Sequence, residues 1–365
     1  MIGRLISDIA GKLRRRLWPA PQTPKASDPE IEEAHALLEQ DRREEVIERM
    51  TAYLARNPEH AEARFLRGTT LLELGRPAEA LPDLQHAVRL DSRETLFLYN
   101  LALAYYHLGD GKNAIEYCKA AVKGDNFAPA HGLWSRVELP GDIYFDQLQR
   151  IHRQLKPRTY LEIGVFKGQS LRLADPQTRA IGIDPVPQLE QPPGPLQTVH
   201  AIASDDFFAQ HDVIAELGGE RIELAFIDGM HHFEYALRDF INIERLATPQ
   251  SIVLVHDCYP LDRQTSSRKC ETHFWSGDVW RLIPLLKKYR PDLSINVIAA
   301  PPTGLGIIRG LDPESRVLSE RLEDIVAEFM ALDYAALDGC KAETLNRYPN
   351  EWPRIAELLG PVVRH

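Results

Sequence analysis

The chain has 365 residues, of which 44% are hydrophobic and 26% charged, and its formal net charge is −10. This length predicts about two domains, and no run of about 18 apolar residues is present to form a membrane-spanning helix. The acidic balance argues against a general nucleic-acid binder. The four cysteines form no CxxC pair. We therefore expect no disulfide framework, no structural zinc site and a reducing compartment, the cytoplasm.

The N-terminal residues 1–26 form a basic segment with six Lys or Arg residues and one acidic residue. On a helix, the apolar residues among 1–18 share one face, which basic residues surround. This pattern predicts a helix that lies peripherally on the inner, anionic membrane surface or docks on a partner. A helix that covers a groove of the same protein is an equal alternative. The proline-containing residues 19–28 are then a linker.

A 34-residue period organises residues 27–140. Its frames begin at Ser27, Ala61 and Thr95. Small side chains at positions 8 and 20 predict two closely packed antiparallel helices in each frame, and larger ones at positions 11 and 24 fill the space between pairs. Gly75 and Gly109 occupy position 15, where a turn is expected, and the first frame lacks this glycine. The pattern resembles the tetratricopeptide repeat. The resemblance implies an array that binds a protein or peptide partner, while bracing of the second domain and homodimerisation stay open.

From residue 159 the pattern changes to short apolar runs separated by helical stretches. The runs cover residues 160–165, 180–184, 198–203, 224–228, 252–256, 294–300 and 305–309. This alternation predicts a mainly parallel sheet, and a Pro-Pro-Thr-Gly link makes the last two runs an antiparallel hairpin. The order resembles the class I S-adenosylmethionine-dependent methyltransferase fold. The expected fold class is therefore a helical repeat array followed by a Rossmann-like α/β domain.

These patterns divide the chain after the basic segment and the repeats. We place the methyltransferase-like domain at residues 141–312 and C-terminal helices at residues 313–365. Residues 313–332 are predicted to form one long helix, followed by a short helical tail. This region is expected to pack on the sheet edge or to mediate dimerisation.

The first motif of the second domain is E-x-G-x-x-x-G-x-S, formed by Glu162, Gly164, Gly168 and Ser170. It follows a strand and is predicted to open a helix, where glycines let the backbone approach a ligand and free N–H groups face it. The spacing differs from the G-x-G-x-x-G of dinucleotide-binding folds. It resembles the methyltransferase glycine loop. That resemblance implies that these residues bind S-adenosylmethionine, with Glu162 near the amino-acid part of the cofactor.

Two further acidic residues extend the predicted cofactor site. Asp184 ends the next strand, 20 residues after Gly164, where a carboxylate accepts hydrogen bonds from both ribose hydroxyls. Asp205 follows the third strand, where such folds contact the adenine. A solvated Asp205 without a ligand is an equal alternative.

The second and third motifs are Asp228-Gly229-Met230-His231 and Val255-His256-Asp257, each at the end of a predicted strand. Ligands of such folds bind at this edge of the sheet. The D-G-x-H block, with Asp239 eight residues after its histidine, resembles a branch that includes small-molecule and sugar O-methyltransferases of the macrocin type. In that branch, carboxylates at these two strand ends bind magnesium. The resemblance therefore implies Asp228 and Asp257 as ligands of Mg²⁺, with His256 where some relatives have Glu.

Methyl transfer to a hydroxyl requires a base, or a metal that lowers the pKa of the hydroxyl. His231 is the first candidate base and His256 the second, and a purely structural role for His231 stays open. His232 is predicted on a helix surface, and Asp239 is predicted to cap the helix or to pair with Arg238 or Arg245. Residues 258–276 show no clear period and are expected to form a lid over the acceptor.

The sequence thus favours a methyltransferase that acts on a small-molecule or sugar hydroxyl, with metal assistance left open. The alternative is a protein-binding scaffold whose methyltransferase-like domain is inactive. Oxygenase chemistry ranks lower, because no two-His-one-carboxylate iron pattern stands at an obvious spacing. A nicotinamide oxidoreductase ranks last, because the glycine spacing is wrong.

Overall fold

The computed structural model describes residues 28–125 and 127–360. The basic segment and most of its linker lie outside these ranges, so the membrane and docking predictions for residues 1–18 stay predictions. The chain divides into two compact units, one that ends at Val137 and one that begins at Glu138. Among the described residues, no helix has both the length and the apolar character needed to cross a bilayer.

The first unit is a series of antiparallel helix pairs. Its described helices are α1 (Pro29–Glu39), α2 (Arg43–Arg56), α3 (Ala61–Glu73), α4 (Pro77–Leu90), α5 (Thr95–His107), α6 (Gly111–Asp125) and α7 (Ala128–Glu138). The first helix of each pair begins at the predicted frame or two residues after it, which confirms the repeats. A Cβ on Gly68, at position 8, would stand 2.8 Å from Cγ of Leu84, at position 24 of the same frame. Because Gly68 has no side chain, α3 and α4 can pack closely against each other.

The turn inside each repeat requires a left-handed backbone. Gly75 and Gly109 have φ of 73° and 78°, and Asp41 occupies the same position of the first frame with φ of 63°. Aspartate tolerates this conformation better than most side chains. The first repeat therefore makes the same turn without the glycine that the pattern leads one to expect.

The second unit is built on one mostly parallel sheet. Its strands are β1 (Thr159–Ile163), β2 (Arg179–Ile183), β3 (Gln197–His200), β4 (Ile222–Ile227), β5 (Ala247–His256), β6 (Ser294–Ile298), β7 (Leu305–Arg309) and β8 (Arg347–Tyr348). Their order is β3-β2-β1-β4-β5-β7-β6-β8. β7 runs antiparallel to both neighbours, which confirms the predicted hairpin of β6 and β7. All five residues of β1 are buried, as are most residues of β4 and β5, because helices cover both faces.

The helices of this unit connect the strands and flank the sheet. They are α8 (Tyr144–Leu155), α9 (Ser204–Gln210), α10 (Val213–Glu216), α11 (Phe233–Leu246), α12 (Leu282–Tyr289), α13 (Leu322–Met330), α14 (Lys341–Thr344) and α15 (Trp352–Leu359). Two apolar cores lie on the two sides of the strands. α11 and α12 contribute to one core, and α8 and α15 to the other.

The prediction of a long helix over residues 313–332 is wrong. The helix α13 begins only at Leu322. Asp312 accepts the backbone N–H of Glu314 at 3.0 Å, which closes a turn in place of a first helical turn. The tail also adds a strand, β8, which pairs parallel with β6. A two-residue strand has no period of its own, so the sequence pattern does not reveal it.

Candidate functional site

The site lies at the carboxyl ends of β4 and β5, the sheet edge where ligands bind in open α/β folds. Asp228 directly follows β4, His256 is the last residue of β5 and Asp257 follows it. His231 lies three residues after Asp228. The structure brings these four predicted residues together, because neighbouring parallel strands end at the same edge.

The four side chains form a compact charged cluster. His256 Nδ1 lies 3.1 Å from Asp228 Oδ1 and 3.5 Å from Asp257 Oδ1. His231 Nδ1 lies 3.0 Å from Asp257 Oδ2, and its Nε2 lies 3.6 Å from Asp228 Oδ1. Thr303 donates its hydroxyl hydrogen to Asp257 Oδ1 at 2.5 Å, and His256 Nε2 lies 3.3 Å from the Thr303 oxygen.

The proton positions of His256 follow from these contacts. The single hydroxyl hydrogen of Thr303 goes to Asp257, so the Thr303 oxygen accepts from His256 Nε2. Asp228 accepts from His256 Nδ1, which makes His256 a donor on both nitrogens. Burial alone would lower the pKa of His256, but the carboxylates of Asp257 and Asp228 raise that pKa to about 9.

The two carboxylates differ in environment. Burial raises the pKa of Asp257, which is 3% exposed. Burial also opposes the charged form of Asp228, yet His256 and His231 lower the pKa of Asp228. The neighbouring imidazoles thus favour the ionised form of Asp228, whereas burial favours the protonated form of Asp257.

Part of the cluster has no hydrogen bond. His231 Nδ1 and Asp257 Oδ2 are buried and 3.0 Å apart, but in the described part of the chain neither makes a hydrogen bond of acceptable angle. Both residues have left-handed backbone, with φ of 56° at His231 and 62° at Asp257. Such conformations in non-glycine residues are concentrated at functional sites. Ligand atoms of Asp228, His231 and Asp257 all lie within 4.8 Å of one another.

The backbone of His231 is held by a segment that sequence reasoning did not assign to the site. A Cβ on Gly277 would stand 1.9 Å from the His231 carbonyl oxygen, and Asp278 donates its N–H to that oxygen at 3.1 Å. The buried carboxylate of Asp278 accepts the N–H of Phe233 at the start of α11. Gly277 and Asp278 thus fix His231 relative to the helix behind it.

Aromatic rings close the site on two sides. Trp275 stacks on His231 with ring centroids 5.1 Å apart, and Tyr144 lies against His256 at 4.0 Å. Trp275 belongs to residues 258–276, the predicted lid, which covers His231 here. His232, the half-buried residue that directly precedes α11, donates Nε2–H to the Arg268 carbonyl of the same segment at 2.9 Å. Tyr144 precedes the first strand of the sheet and belongs to no motif, so the sequence did not indicate that it contacts the site.

Asp239 lies in the same cleft, contrary to the prediction that it caps α11 or pairs with an arginine. It lines the cleft with Asp228 and His231 and is 3% exposed. Burial raises its pKa to about 7. Its Oδ1 has no hydrogen-bond partner among the described residues. Arg238 instead pairs with Asp205 at 2.9 Å, because successive helical residues face different directions.

The glycine loop differs from the prediction in one respect. It is followed by a single 3-10 turn, Leu171–Leu173, so it opens no α-helix and no helix N-terminus faces a ligand. Gly164 has φ of 90°, and a Cβ there would stand 1.9 Å from the Asp228 carbonyl oxygen. The turn after β4 therefore requires this glycine whether or not a ligand binds. Gly168 has φ of 75° and packs against Leu189.

Glu162 is fully buried at the end of β1. Its two oxygens accept hydrogen bonds from Tyr160 at 2.7 Å and from Ser170 at 2.5 Å. Burial raises the pKa of Glu162 to about 8, against the effect of these hydrogen bonds. The motif residues Glu162 and Ser170 thus bind each other.

Asp184 stands at the open edge beyond β2. Its oxygens accept the backbone N–H groups of Phe166 at 2.7 Å and Val186 at 2.8 Å. A carboxylate offers about four lone-pair positions, so two remain free. The side chains of Phe166 and Val186, whose backbone N–H groups Asp184 accepts, are 54% and 68% exposed.

Comparisons with known proteins agree with this division of the chain. The family model described as tetratricopeptide repeat matches residues 31–93 and 67–129, and the one described as methyltransferase domain matches residues 161–258. Among curated proteins, none matches the chain.

Solved structures resemble each part with low overall scores. MamA of Desulfovibrio magneticus RS-1 is 22% identical, with a TM-score of 0.30 over 37% of this chain and 83% of its own. The first repeat domain of human RPAP3 is 18% identical, with a TM-score of 0.29 over 30% of this chain and 86% of its own. The O-methyltransferase TomG of Streptomyces achromogenes, solved with SAM, is 18% identical, with a TM-score of 0.35 over 46% and 80%.

The chain therefore joins tetratricopeptide repeats, within residues 31–129, to a domain of the methyltransferase family that includes residues 161–258.

Proposed function

We propose that the sheet unit transfers a methyl group from S-adenosylmethionine to a hydroxyl oxygen of a small molecule or sugar. The observation that carries this proposal is the cluster of Asp228, His231, His256 and Asp257 at the carboxyl edge of the sheet, the edge at which Asp184 follows β2. A pair of carboxylates with an imidazole at this edge suits removal of a proton from a hydroxyl.

The cofactor is assigned to the edge between β1 and β2. The free lone-pair positions of Asp184 fit two ribose hydroxyls, and the exposed side chains of Phe166 and Val186 fit an apolar base. Bound there, S-adenosylmethionine supplies an electrophilic methyl group. Asp205 is engaged by Arg238 at 2.9 Å, so we assign it to the border of the adenine pocket rather than to a direct bond. Glu162, Gly164, Gly168 and Ser170 shape the loop beneath the amino-acid end.

The acceptor is assigned to the cleft beside His231. Within residues 28–125 and 127–360, His231 Nε2 has no partner closer than Asp228 at 3.6 Å, so it is the nitrogen placed to take the hydroxyl proton. The carboxylate of Asp257 lies 3.0 Å away on the Nδ1 side of the ring. His256 has both nitrogens engaged by Asp228 and Thr303. We therefore give His256 the role of a cation that holds the two aspartates, not that of a second base.

The cluster also fits a divalent cation. Among the described residues, His231 Nδ1 and Asp257 Oδ2 are buried without hydrogen bonds, and the carboxylates of Asp257 and Asp228 are the ligand type that Mg²⁺ or Mn²⁺ prefers. A cation held there would lower the pKa of the acceptor hydroxyl. Metal assistance would then involve His231 in addition to Asp228 and Asp257.

The repeats are proposed to recruit a protein or peptide partner. Leu90, Tyr106 and Leu108 are more than a third exposed in this unit, and exposed apolar side chains favour contact with a partner. Homodimerisation through the same unit is the other outcome. We place the chain in the cytoplasm because the cysteines at 118, 258, 270 and 340 are all free, with residues 1–18 at the inner membrane surface.

Mass spectrometry of ligands that co-purify with the full chain, followed by calorimetric titration with S-adenosylmethionine, tests the cofactor. Binding that Asp184→Asn weakens and Asp212→Asn leaves unchanged supports the proposal. The contrasting function is a scaffold with an inactive domain. It is favoured by the hydrogen bonds that Glu162 and Asp184 already accept from other residues of the same chain. Wild-type protein that binds no S-adenosylmethionine would contradict the methyltransferase proposal and favour the scaffold.

A further inference from the structure

Three potential metal ligands converge outside the methyltransferase cleft. His200 is the last residue of β3, His211 directly follows α9, and Glu216 is the last residue of α10. His200 Nε2 lies 2.9 Å from Glu216 Oε2, and His211 Nδ1 lies 2.7 Å from Glu216 Oε1. The ligand atoms of all three residues lie within 4.8 Å of one another.

A buried aromatic ring positions both histidines. Phe207 is fully buried in the sheet core. Its ring centroid lies 4.7 Å from that of His211, nearly parallel, and 4.9 Å from that of His200. The two imidazole rings are themselves 4.6 Å apart. The imidazoles therefore do not depend on Glu216 alone for their orientation.

Backbone hydrogen bonds also fix the main chain at each ligand. His200 accepts the N–H of Asp184 at 3.1 Å, and His211 donates its N–H to Phe207 at 2.9 Å. Glu216 donates its N–H to Asp212 at 3.0 Å, and the Asp212 side chain caps the short helix. Ligands that the fold already holds in position before an ion binds increase the affinity for that ion.

We propose that His200, His211 and Glu216 bind a divalent transition-metal ion such as zinc. Two imidazoles and one carboxylate are a ligand set of zinc sites that keep one position for water. Zinc bonds of about 2.0–2.1 Å in a tetrahedron put neighbouring ligand atoms about 3.3 Å apart. The observed separations of 2.9 and 2.7 Å, which run to the two different oxygens of Glu216, are about half an ångström shorter than this distance.

The ligand types distinguish this site from the cleft at Asp228 and Asp257. Imidazole-rich sites select zinc, copper, nickel or cobalt over magnesium, whereas carboxylate-rich sites suit magnesium and manganese. The side chains of His200, His211 and Glu216 are 18%, 30% and 29% exposed. An ion can therefore enter from solvent, and a water molecule has room to complete its coordination.

The ion would tie together the end of β3, α9 and α10. Asp205 lies in the first turn of α9, so the site would also stiffen the segment that borders the proposed adenine pocket. None of the three proposed zinc ligands belongs to the cleft, so zinc binding does not depend on the methyltransferase assignment.

Titration of chelator-treated full chain with zinc chloride, by calorimetry and by metal analysis after gel filtration, tests the site. To separate the two clusters, the measurement uses the Asp257→Asn variant as background. We expect the Asp257→Asn variant to bind one zinc ion per chain. Adding His211→Gln should weaken its binding by more than the roughly 10–100-fold that loss of an outer-shell partner costs.

The matched control is His86→Gln, since His86 also pairs with one glutamate, Glu59 at 3.0 Å, but no third potential ligand lies beside it among the described residues. This control should leave zinc binding unchanged. Cobalt absorption bands that disappear with Glu216→Gln, a variant of nearly equal shape, would support the site even if His211→Gln fails to fold. Zinc stoichiometry and affinity that neither His211→Gln nor Glu216→Gln changes would overturn the proposal.

Discussion

Glu162→Gln should stabilise the sheet unit, and the gain should grow with pH. Glu162 is fully buried beneath the glycine loop and accepts hydrogen bonds from Tyr160 and Ser170. Glutamine keeps the size of the side chain and stays neutral. The two hydroxyl groups can rotate, so one can accept from the new amide while the other still donates.

The magnitude follows from the pKa of Glu162, which burial raises from 4.5 to about 8. In the unfolded chain the carboxyl ionises near pH 4.5, whereas in the folded state it keeps its proton until about pH 8. Its contribution to stability is therefore complete below pH 4.5 and is lost as pH rises through 8. At about 1.36 kcal/mol per pH unit, the loss is roughly 3 kcal/mol at pH 7 and 5 kcal/mol above pH 8.

Glutamine does not titrate, so the variant does not lose this stability as the pH rises. At pH 7, a gain of about 3 kcal/mol corresponds to a rise in Tm of roughly 6–12 °C for a unit of this size. Near pH 5 the two proteins should differ by only about 1–3 °C, since less than one pH unit of the loss has accumulated.

Scanning calorimetry of the full chain at pH 5, 6, 7 and 8 measures this difference. The control is Glu320→Gln, which removes an exposed carboxyl of the same unit and should show no such trend. A difference between Glu162→Gln and wild type that stays constant from pH 5 to 8 would refute the reasoning. It would mean that Glu162 is ionised in the folded state and has a charged partner.

Three further predictions concern the cofactor loop and the cleft. Asp184→Asn should weaken S-adenosylmethionine binding about 10- to 30-fold, since two charge-assisted hydrogen bonds become neutral ones, and an unchanged Kd in calorimetry would contradict the assignment. Asp257→Asn should lower turnover while the cofactor Kd stays nearly constant, and chelator should lower wild-type activity until Mg²⁺ is restored; full methyl transfer in excess chelator would exclude the metal. Gly164→Ala should destabilise by at least about 3 kcal/mol in denaturant titration, because its Cβ would meet the Asp228 carbonyl at 1.9 Å. Gly219→Ala is the control, with φ of 88° and open space; equal losses would mean that backbone strain alone is responsible.

The sequence by itself determined the repeats and the order of the strands. The 34-residue period records contacts within and between neighbouring repeats, and the alternation of strands and helices records only the succession of these elements along the chain. The approach of Gly68 to Leu84 is such a contact. The acids and histidines at the ends of β4 and β5 could also be identified, because parallel strands end at one edge whatever the details of packing.

Only the tertiary structure decided what surrounds those residues. Thr303 reaches Asp257 from the hairpin, Tyr144 reaches His256 from α8, and Asp278 holds His231 from beyond the loop. It also decided that Asp239 turns into the cleft and that the tail adds a strand. Such contacts join segments far apart in the chain. No local period encodes them, since they depend on how already formed elements pack against one another.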